Sequence, residues 1–180
     1  KSHLPKCVIT HWTGDMRENV SPYLSSICKE THATLASSIG QLQQFRSAGA
    51  KIAEYCQIGV DYNEDVLGKP DWTPPFKVPD VVLCATYYGR MFPGTIQREN
   101  AIRELIKNQI NVGVIGSGWP TWVKTIGRCS VKQQHHIYKR CKVILNINNF
   151  NHVERYYSDR QLIAMASGTP LVCHYIPGLE

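Results

Sequence analysis

The chain has 180 residues, of which 43% are hydrophobic and 19% are charged, and its formal net charge is +6. This composition is typical of a globular protein and excludes wholesale disorder. No apolar run approaches the roughly 20 residues that a membrane-spanning helix needs, and the dispersed basic residues give little support for a nucleic-acid-binding stripe.

Two features predict a cytoplasmic protein. The first twelve residues, KSHLPKCVITHW, carry charge but no long apolar segment, so we expect no signal peptide. The seven cysteines are scattered, include no Cys-x-x-Cys spacing and mostly lie in apolar runs, which favours reduced, buried thiols over a disulfide framework. In particular, we expect Cys84, Cys141 and Cys173 to be reduced and slow to alkylate.

In the first block, residues 1–61, short apolar runs alternate with helical patterns. Strands are predicted at 6–10 (KCVIT), in ATLAS and in KIAEYC, and helices in SPYLSSICKE and SIGQLQQFRSAG. Ser21, which a proline follows, is typical of an N-cap, and Ser38 and Gln41 have the spacing of a capping box. We interpret this block as part of an acceptor-side domain with a parallel α/β layer.

Residues 62–79 contain four prolines and few apolar periodicities, which predicts a connector between two domains. The second block, residues 80–180, predicts strands and helices in strict alternation, typical of a parallel sheet with helices on both faces. The strands are in DVVLCA, INVGVI, KVILNIN and PLVCHY, and the helices in TIQRENAIRELIKNQ, SVKQQHHIYKRC and DRQLIAMASG. Ile102, Leu105 and Ile106 are expected on the buried side of the first helix.

Ligands of parallel α/β sheets bind at the carboxyl ends of the strands, and three unusual groups of residues fall there, at 89–90, 116–119 and 156–160. Glycine lets a phosphate approach the backbone, and arginine neutralises its charge. Arg98 lies in the first turn of a predicted helix, where a cation opposes the helix dipole unless an anion is near.

Each of these features also has a plainer interpretation, which the residues leave open. Arg160 either faces a diphosphate or pairs with Asp159 at the surface, and Ser158 either contacts phosphate or caps its helix. Trp119 either stacks on a nucleobase or packs in the protein. Gly89 is either a phosphate contact or a turn glycine beside a solvated arginine.

The sequence predicts no metal site and no cofactor. His135 and His136 are adjacent and are expected on different sides of a helix, where they cannot bind one metal ion together. No Asp-x-Asp pair occurs, and neither the full P-loop nor the full dinucleotide-binding pattern is present.

The motifs VLCATYYGR, VGVIGSGW, KVILNIN and YSDRQLIAMASGTPLV occur in this order in the second block. Together they resemble the nucleotide-sugar-binding domain of GT-B glycosyltransferases, in particular the spore-maturation-protein-like branch. HWTGDMR resembles a segment late in the first domain of that family. The resemblance implies Rossmann-like parallel sheets and metal-independent transfer of a sugar from a nucleoside-diphosphate donor to an unknown acceptor.

On this interpretation the site divides into two groups. His11 and Asp15 follow the first strand, so we expect them to face the cleft between the blocks, where one acts as general base or positions an acceptor hydroxyl. The alternative is a turn with Asp15 paired to Arg17. The expected substrate-binding residues are Gly89, Arg90, Arg98, Gly116, Gly118, Trp119, Tyr157, Ser158 and Arg160.

The sequence departs from the family pattern in two ways. It begins midway through the expected acceptor domain and stops before the expected closing helices, so we interpret it as part of a longer protein. Ile163 stands where the family has a glutamate that holds the ribose hydroxyls. Two other functions are therefore kept: a non-catalytic sugar-nucleotide-binding module and, less favoured, a basic nucleic-acid-binding domain. Homo-oligomerisation is left open.

Overall fold

The computed structural model describes residues 7–63 and 72–180, so residues 64–71 of the predicted connector lie outside the described part. The chain forms two compact units. The first contains the described residues up to Ile58 together with His152–Tyr157 and Tyr175–Glu180. The second contains the described residues of Gly59–Asn151 together with Ser158–His174.

The first unit has a three-stranded parallel sheet of order β1-β2-β3. Its elements are β1 (Thr10–Thr13), α1 (Pro22–Glu30), β2 (Ala33–Ala36), a 3-10 turn (Ile39–Gln41), α2 (Leu42–Ser47) and β3 (Ala53–Tyr55). The predicted alternation is confirmed, but the first strand was placed too early. It starts only at Thr10, which forms the first register pair with Ala33, and Val8 before it is exposed.

The two helix starts of this unit differ in their capping. The Ser21 hydroxyl accepts a hydrogen bond from the Leu24 amide at 3.3 Å, which confirms the predicted N-cap of α1. The capping box predicted at Ser38 is wrong. Its hydroxyl instead donates to the carbonyl of Glu154 at 3.3 Å, and a 3-10 turn precedes α2. A contact distant in sequence therefore replaces the local cap.

The second unit has a five-stranded, all-parallel sheet of order β6-β5-β4-β7-β8. Its elements are β4 (Val81–Cys84), α3 (Pro93–Lys107), β5 (Val112–Ile115), β6 (Thr125–Gly127), α4 (Val131–Tyr138), β7 (Val143–Asn146), α5 (Asp159–Ala166) and β8 (Leu171–Cys173). The predicted strands and helices are all present. The edge strand β6 was not predicted, because three residues are too few to show an alternating pattern.

Alternate residues of the sheet bury opposite faces, as expected of a doubly covered parallel sheet. Val81 and Leu83 face one core, whereas Val82 and Cys84 face the other. Helix α3 packs on the first core through Ile102, and α4 and α5 contribute to the second. Ile106 was predicted to be buried but is exposed, because it lines an open groove together with Ile110 and Lys124. None of the described helices is long and apolar enough to cross a membrane.

All seven cysteines carry free thiols. Cys84 and Cys141 are buried, as predicted, and Cys28 is buried as well. Cys173 is exposed, which contradicts the prediction. Its strand, β8, lies at the edge of the sheet, and the neighbouring Val172 is exposed too. An apolar strand sequence does not reveal whether the strand is central or at an edge.

Replacing Gly94 by alanine is expected to destabilise the second unit by roughly 1–3 kcal/mol. A Cβ atom at this position would lie 1.9 Å from the carbonyl oxygen of Asn148, a backbone atom that cannot rotate away. Urea unfolding would measure the loss. Gly59→Ala is the matched control, because a Cβ there meets nothing within 4 Å. Equal stability of the two variants would contradict this close approach.

Candidate functional site

A cavity of about 160 Å³ opens at the carboxyl ends of β4 and β5. Five segments of the second unit contribute to it: the ends of β4 and β5, the residues after β6, α4 and α5. The cavity is lined by Cys84, Ala85, Thr86, Ile115, Gly116, Ser117, Arg128, Cys129, Gln134 and Arg160. It therefore lies where parallel α/β sheets bind their ligands.

Two arginines give this cavity its positive charge. Arg160 is half-buried in the first turn of α5, and Arg128 is exposed directly after β6. The Asp159 carboxylate accepts a hydrogen bond from the backbone amide of Arg160 at 2.9 Å and does not pair with its guanidinium. Within residues 7–63 and 72–180, neither guanidinium has a carboxylate partner. Two uncompensated cations beside one cavity favour an anionic ligand.

A buried amide network fixes the start of α5. Asn148 Oδ1 accepts hydrogen bonds from both the amide and the hydroxyl of Ser158, each at 3.2 Å. Gln161 Oε1 accepts from the side-chain amides of Asn148, at 3.2 Å, and Asn146, at 3.1 Å. Ser158 is thus the N-cap by position, but its hydroxyl binds the loop after β7. The network determines where Arg160 emerges from the helix.

Gly116 and Gly118 let the loop after β5 pack closely on the loop after β4. A Cβ on Gly116 would lie 2.0 Å from the Ala85 carbonyl oxygen, and one on Gly118 would lie 2.5 Å from that of Tyr87. Both glycines also have positive φ angles, +150° and +81°. Of the two, Gly116 lines the cavity. Their first role is to bring two strand ends together at the site.

The indole nitrogen of Trp119 is hydrogen-bonded within the protein. The indole N–H donates to the Ala85 carbonyl oxygen at 2.8 Å, and the ring packs 5.1 Å from that of Tyr87. The tryptophan also packs against the first core. These contacts support the packing interpretation, and a stacking role toward a nucleobase stays a prediction.

The predicted residues after β4 form a second cluster. The Glu99 carboxylate, which is buried, accepts hydrogen bonds from the Tyr87 hydroxyl at 2.8 Å and from Arg90 at 3.4 Å. Gly89 has a φ angle of +66° and open space beside its α-carbon. Glu99 thus holds the exposed Arg90 near the turn, outside the lining of the cavity.

Arg98 is buried and binds main-chain oxygens. Its Nε donates to the Ile147 carbonyl at 2.7 Å, and one terminal nitrogen donates to the Thr86 carbonyl at 3.5 Å. The side chain therefore joins the segments that follow β4 and β7. The two carbonyl oxygens stabilise this positive charge near the start of α3, where the helix dipole opposes it. Arg98 itself does not line the cavity.

The proposed catalytic residues belong to the first unit. His11 is half-buried in β1, and its Nδ1 has no hydrogen-bond partner in the described part of the chain. Burial lowers the pKa of the imidazole, which is therefore neutral near pH 7. Asp15 is exposed, and within the described ranges it forms no ion pair with Arg17. Both roles stay predictions.

The stretch Tyr-Tyr-Ser-Asp-Arg is divided between the two units. Tyr157 lies in the first, where its carbonyl accepts a hydrogen bond from Gln57 Nε2 at 3.0 Å. The pKa of Tyr55 is raised to about 12, mainly by burial and further by the nearby Tyr157. Ser158 begins the segment that belongs to the second unit. Tyr157 as a substrate-binding residue stays a prediction.

The expectation that His135 and His136 point apart is wrong. Both side chains are buried, and their ring centroids are 3.7 Å apart. The rings turn toward each other although the residues are adjacent in α4. Among the residues that the structure describes, no group of three or more His, Cys, Asp or Glu side chains is arranged to hold a metal ion.

Comparison with known proteins identifies the fold. A family model described as glycosyl transferase-like matches residues 97–180. The DNA-modifying enzyme β-glucosyltransferase, solved with and without uridine diphosphoglucose, is 15% identical, with a TM-score of 0.50 over 78% of this chain and 46% of that one. The pneumococcal O-GlcNAc transferase GtfA, solved with UDP and GlcNAc, is 15% identical, with a TM-score of 0.53 over 86% of this chain and 32% of that one. The curated proteins include no significant match to the sequence.

The chain therefore has the α/β fold of GT-B glycosyltransferases, with parallel sheets, as predicted. It spans less than half the length of either structure. The expected glycosyltransferase resemblance is confirmed at the level of the fold, and the spore-maturation-protein-like branch stays a prediction.

Proposed function

We propose that the second unit binds the diphosphate of a nucleoside-diphosphate sugar in the cavity between Arg128 and Arg160, and that the protein transfers the sugar to an acceptor. The observation that supports this most is the pair of guanidinium groups without carboxylate partners, within the described ranges, at the carboxyl end of a parallel sheet. When the glycosidic bond breaks, negative charge develops on the departing diphosphate. Arginine is suited to this charge because it presents several donors in a fixed plane.

In this proposal the remaining lining residues supply polar contacts. Thr86, Ser117 and Gln134 place hydroxyl or amide groups around the two arginines. Arg98 acts as a positioning residue, because it holds the carbonyl of Thr86. The structures of β-glucosyltransferase and GtfA were solved with uridine nucleotides, which supports a nucleoside diphosphate as the class of ligand to try first.

His11 is the better of the two proposed catalytic bases. A general base must be unprotonated at the working pH, and burial lowers the pKa of this imidazole. Asp15 is exposed, so an acceptor-positioning role suits it better. Charge neutralisation at the diphosphate falls to arginine side chains.

A second candidate function is a sugar-nucleotide-binding module without catalysis. It is favoured by Ile163, which is completely buried in the second core. The position expected to hold a ribose-binding glutamate is thus filled by a core residue, and ribose must be recognised in another way or not at all.

Titration calorimetry with a panel of nucleoside diphosphates, beside a donor-hydrolysis assay with their sugar conjugates, separates these functions. We expect binding of at least one diphosphate and a roughly tenfold loss of affinity in Arg128→Ala, since an exposed guanidinium contributes less than a half-buried one. Arg140→Ala is the control, because Arg140 is an exposed arginine of the same unit that does not line the cavity.

Each outcome of this assay decides between functions. Binding with hydrolysis supports the transferase, and binding without turnover supports the module. Absence of binding to every diphosphate would contradict both, and salt-dependent binding of oligonucleotides alone would favour a nucleic-acid-binding domain.

A further inference from the structure

The cavity contains two thiols to which the proposed function gives no role. Cys84 is the last residue of β4, and Cys129 follows β6, directly before the N-cap of α4. Both side chains line the cavity, and each thiol affects the ionisation of the other. These cysteines are 45 positions apart in the sequence, so only the packing of the sheet brings them together.

The two thiols have different environments. Cys84 is buried, whereas Cys129 is only partly covered and can be reached from the cavity. Burial raises the pKa of Cys84 above its usual value. The neighbouring Cys84 thiol lowers the pKa of Cys129, although partial burial opposes this effect. Cys129 is thus the thiol that ionises first, and Cys84 is its protonated neighbour.

We propose that Cys84 and Cys129 are a modification site at which a peroxide forms a disulfide, and that this disulfide weakens anion binding in the cavity. The first half depends only on the placement of the thiols. The second half rests on the function proposed above.

Hydrogen peroxide is the oxidant in this disulfide formation. The Cys129 thiolate attacks one peroxide oxygen, the O–O bond breaks, and a sulfenic acid and hydroxide are produced. The Cys84 sulfur then attacks the Cys129 sulfur, and the S–O bond breaks as the disulfide forms. The second hydroxide takes the proton of Cys84, so two thiols and one peroxide yield one disulfide and two waters.

The modification reaches the anion site through Arg128. This arginine precedes Cys129 directly in the chain, and both line the cavity. Two sulfurs in a disulfide are about 2.05 Å apart, closer than any hydrogen-bonded pair of thiols. Drawing Cys129 toward the fixed end of β4 must shift the backbone that carries Arg128.

The test exposes the chain to hydrogen peroxide under native conditions and digests it with trypsin without reduction. Trypsin places the two cysteines in separate peptides, 78–90 and 129–132. We expect these peptides to be joined, with a mass two hydrogens below their sum. Uridine diphosphate should bind roughly tenfold more weakly to the oxidised chain, and dithiothreitol should restore the affinity.

Variants make each half of the proposal testable on its own. Cys129→Ser and Cys129→Ala should abolish both the cross-link and the peroxide effect, while Cys173→Ser, at an exposed edge-strand thiol, should change neither. Thermal unfolding identifies a variant that has lost its fold. Absence of the 84–129 cross-link in folded protein overturns the modification site.

A cross-link without any change in uridine diphosphate affinity overturns the regulatory half. If the reduced chain binds none of the nucleoside diphosphates, the proposed function fails, and the peptide map still decides whether the thiols form a disulfide.

Discussion

Replacing Arg160 by alanine is expected to weaken nucleoside-diphosphate binding by roughly ten- to a hundredfold, because a charge-assisted contact to phosphate contributes about 1.5–3 kcal/mol. The side chain is half-buried and lines the cavity, so its charge acts in a less polar environment than a surface charge does. Its guanidinium has no carboxylate partner within residues 7–63 and 72–180, so the substitution removes no ion pair from the fold.

Titration calorimetry measures the affinity, and circular dichroism with urea unfolding establishes that the fold is retained. Arg160→Lys keeps the charge but loses the planar pair of donors, so an intermediate affinity is expected. Arg140→Ala removes the same charge from an exposed position just after α4 and should bind as the parent does. Unchanged affinity of Arg160→Ala for every nucleoside diphosphate would leave α5 as a core helix without a ligand-binding role.

Replacing Ile163 by glutamate is expected to destabilise the protein by roughly 3–5 kcal/mol, because it introduces an ionisable group without a partner into a core. Ile163 is completely buried, in the cluster that contains Val82, Ile137 and Ile144. The new carboxyl group would be held protonated by burial, so the native state would bind more protons than the unfolded state. Stability should therefore fall further as the pH rises.

Urea unfolding at two pH values measures both effects. Met165→Glu provides a control in the same helix, since this side chain is 60% exposed and its substitution should change stability by no more than about 0.5 kcal/mol. The opposite result, a stable Ile163→Glu protein that binds nucleoside diphosphates more tightly, would mean that this position takes part in ribose recognition.

Much of the site followed from the position of residues relative to the predicted strands. Gly116 and Arg160 were both expected at carboxyl ends of strands, and the structure places them on one cavity. Arg128 was missed because the strand before it, TIG, is too short for a recognisable pattern. The residue that could have indicated the end of this strand is Gly127, directly before the arginine. Its φ angle is +131°.

Other predictions depended on contacts that no local pattern specifies. Trp119, Arg90 and Arg98 are of residue types that bind nucleotides well, but each has a partner within the protein. Arg98 binds a carbonyl at Ile147, 49 positions away. A sequence shows which groups a side chain offers, but not which of its partners in the fold will use them.

The sequence by itself determined the alternation of strands and helices, the parallel α/β class and the edge of the sheet at which the cavity lies. It could do so because the spacing of apolar residues, the helix caps and the direction of the chain along each strand are local properties of the sequence. Only the tertiary structure decided which arginines face the cavity, that Cys84 and Cys129 line the same cavity and that Ile163 is core. These are long-range contacts, set by how strands and helices pack, and residues far apart in the sequence carry no local record of them.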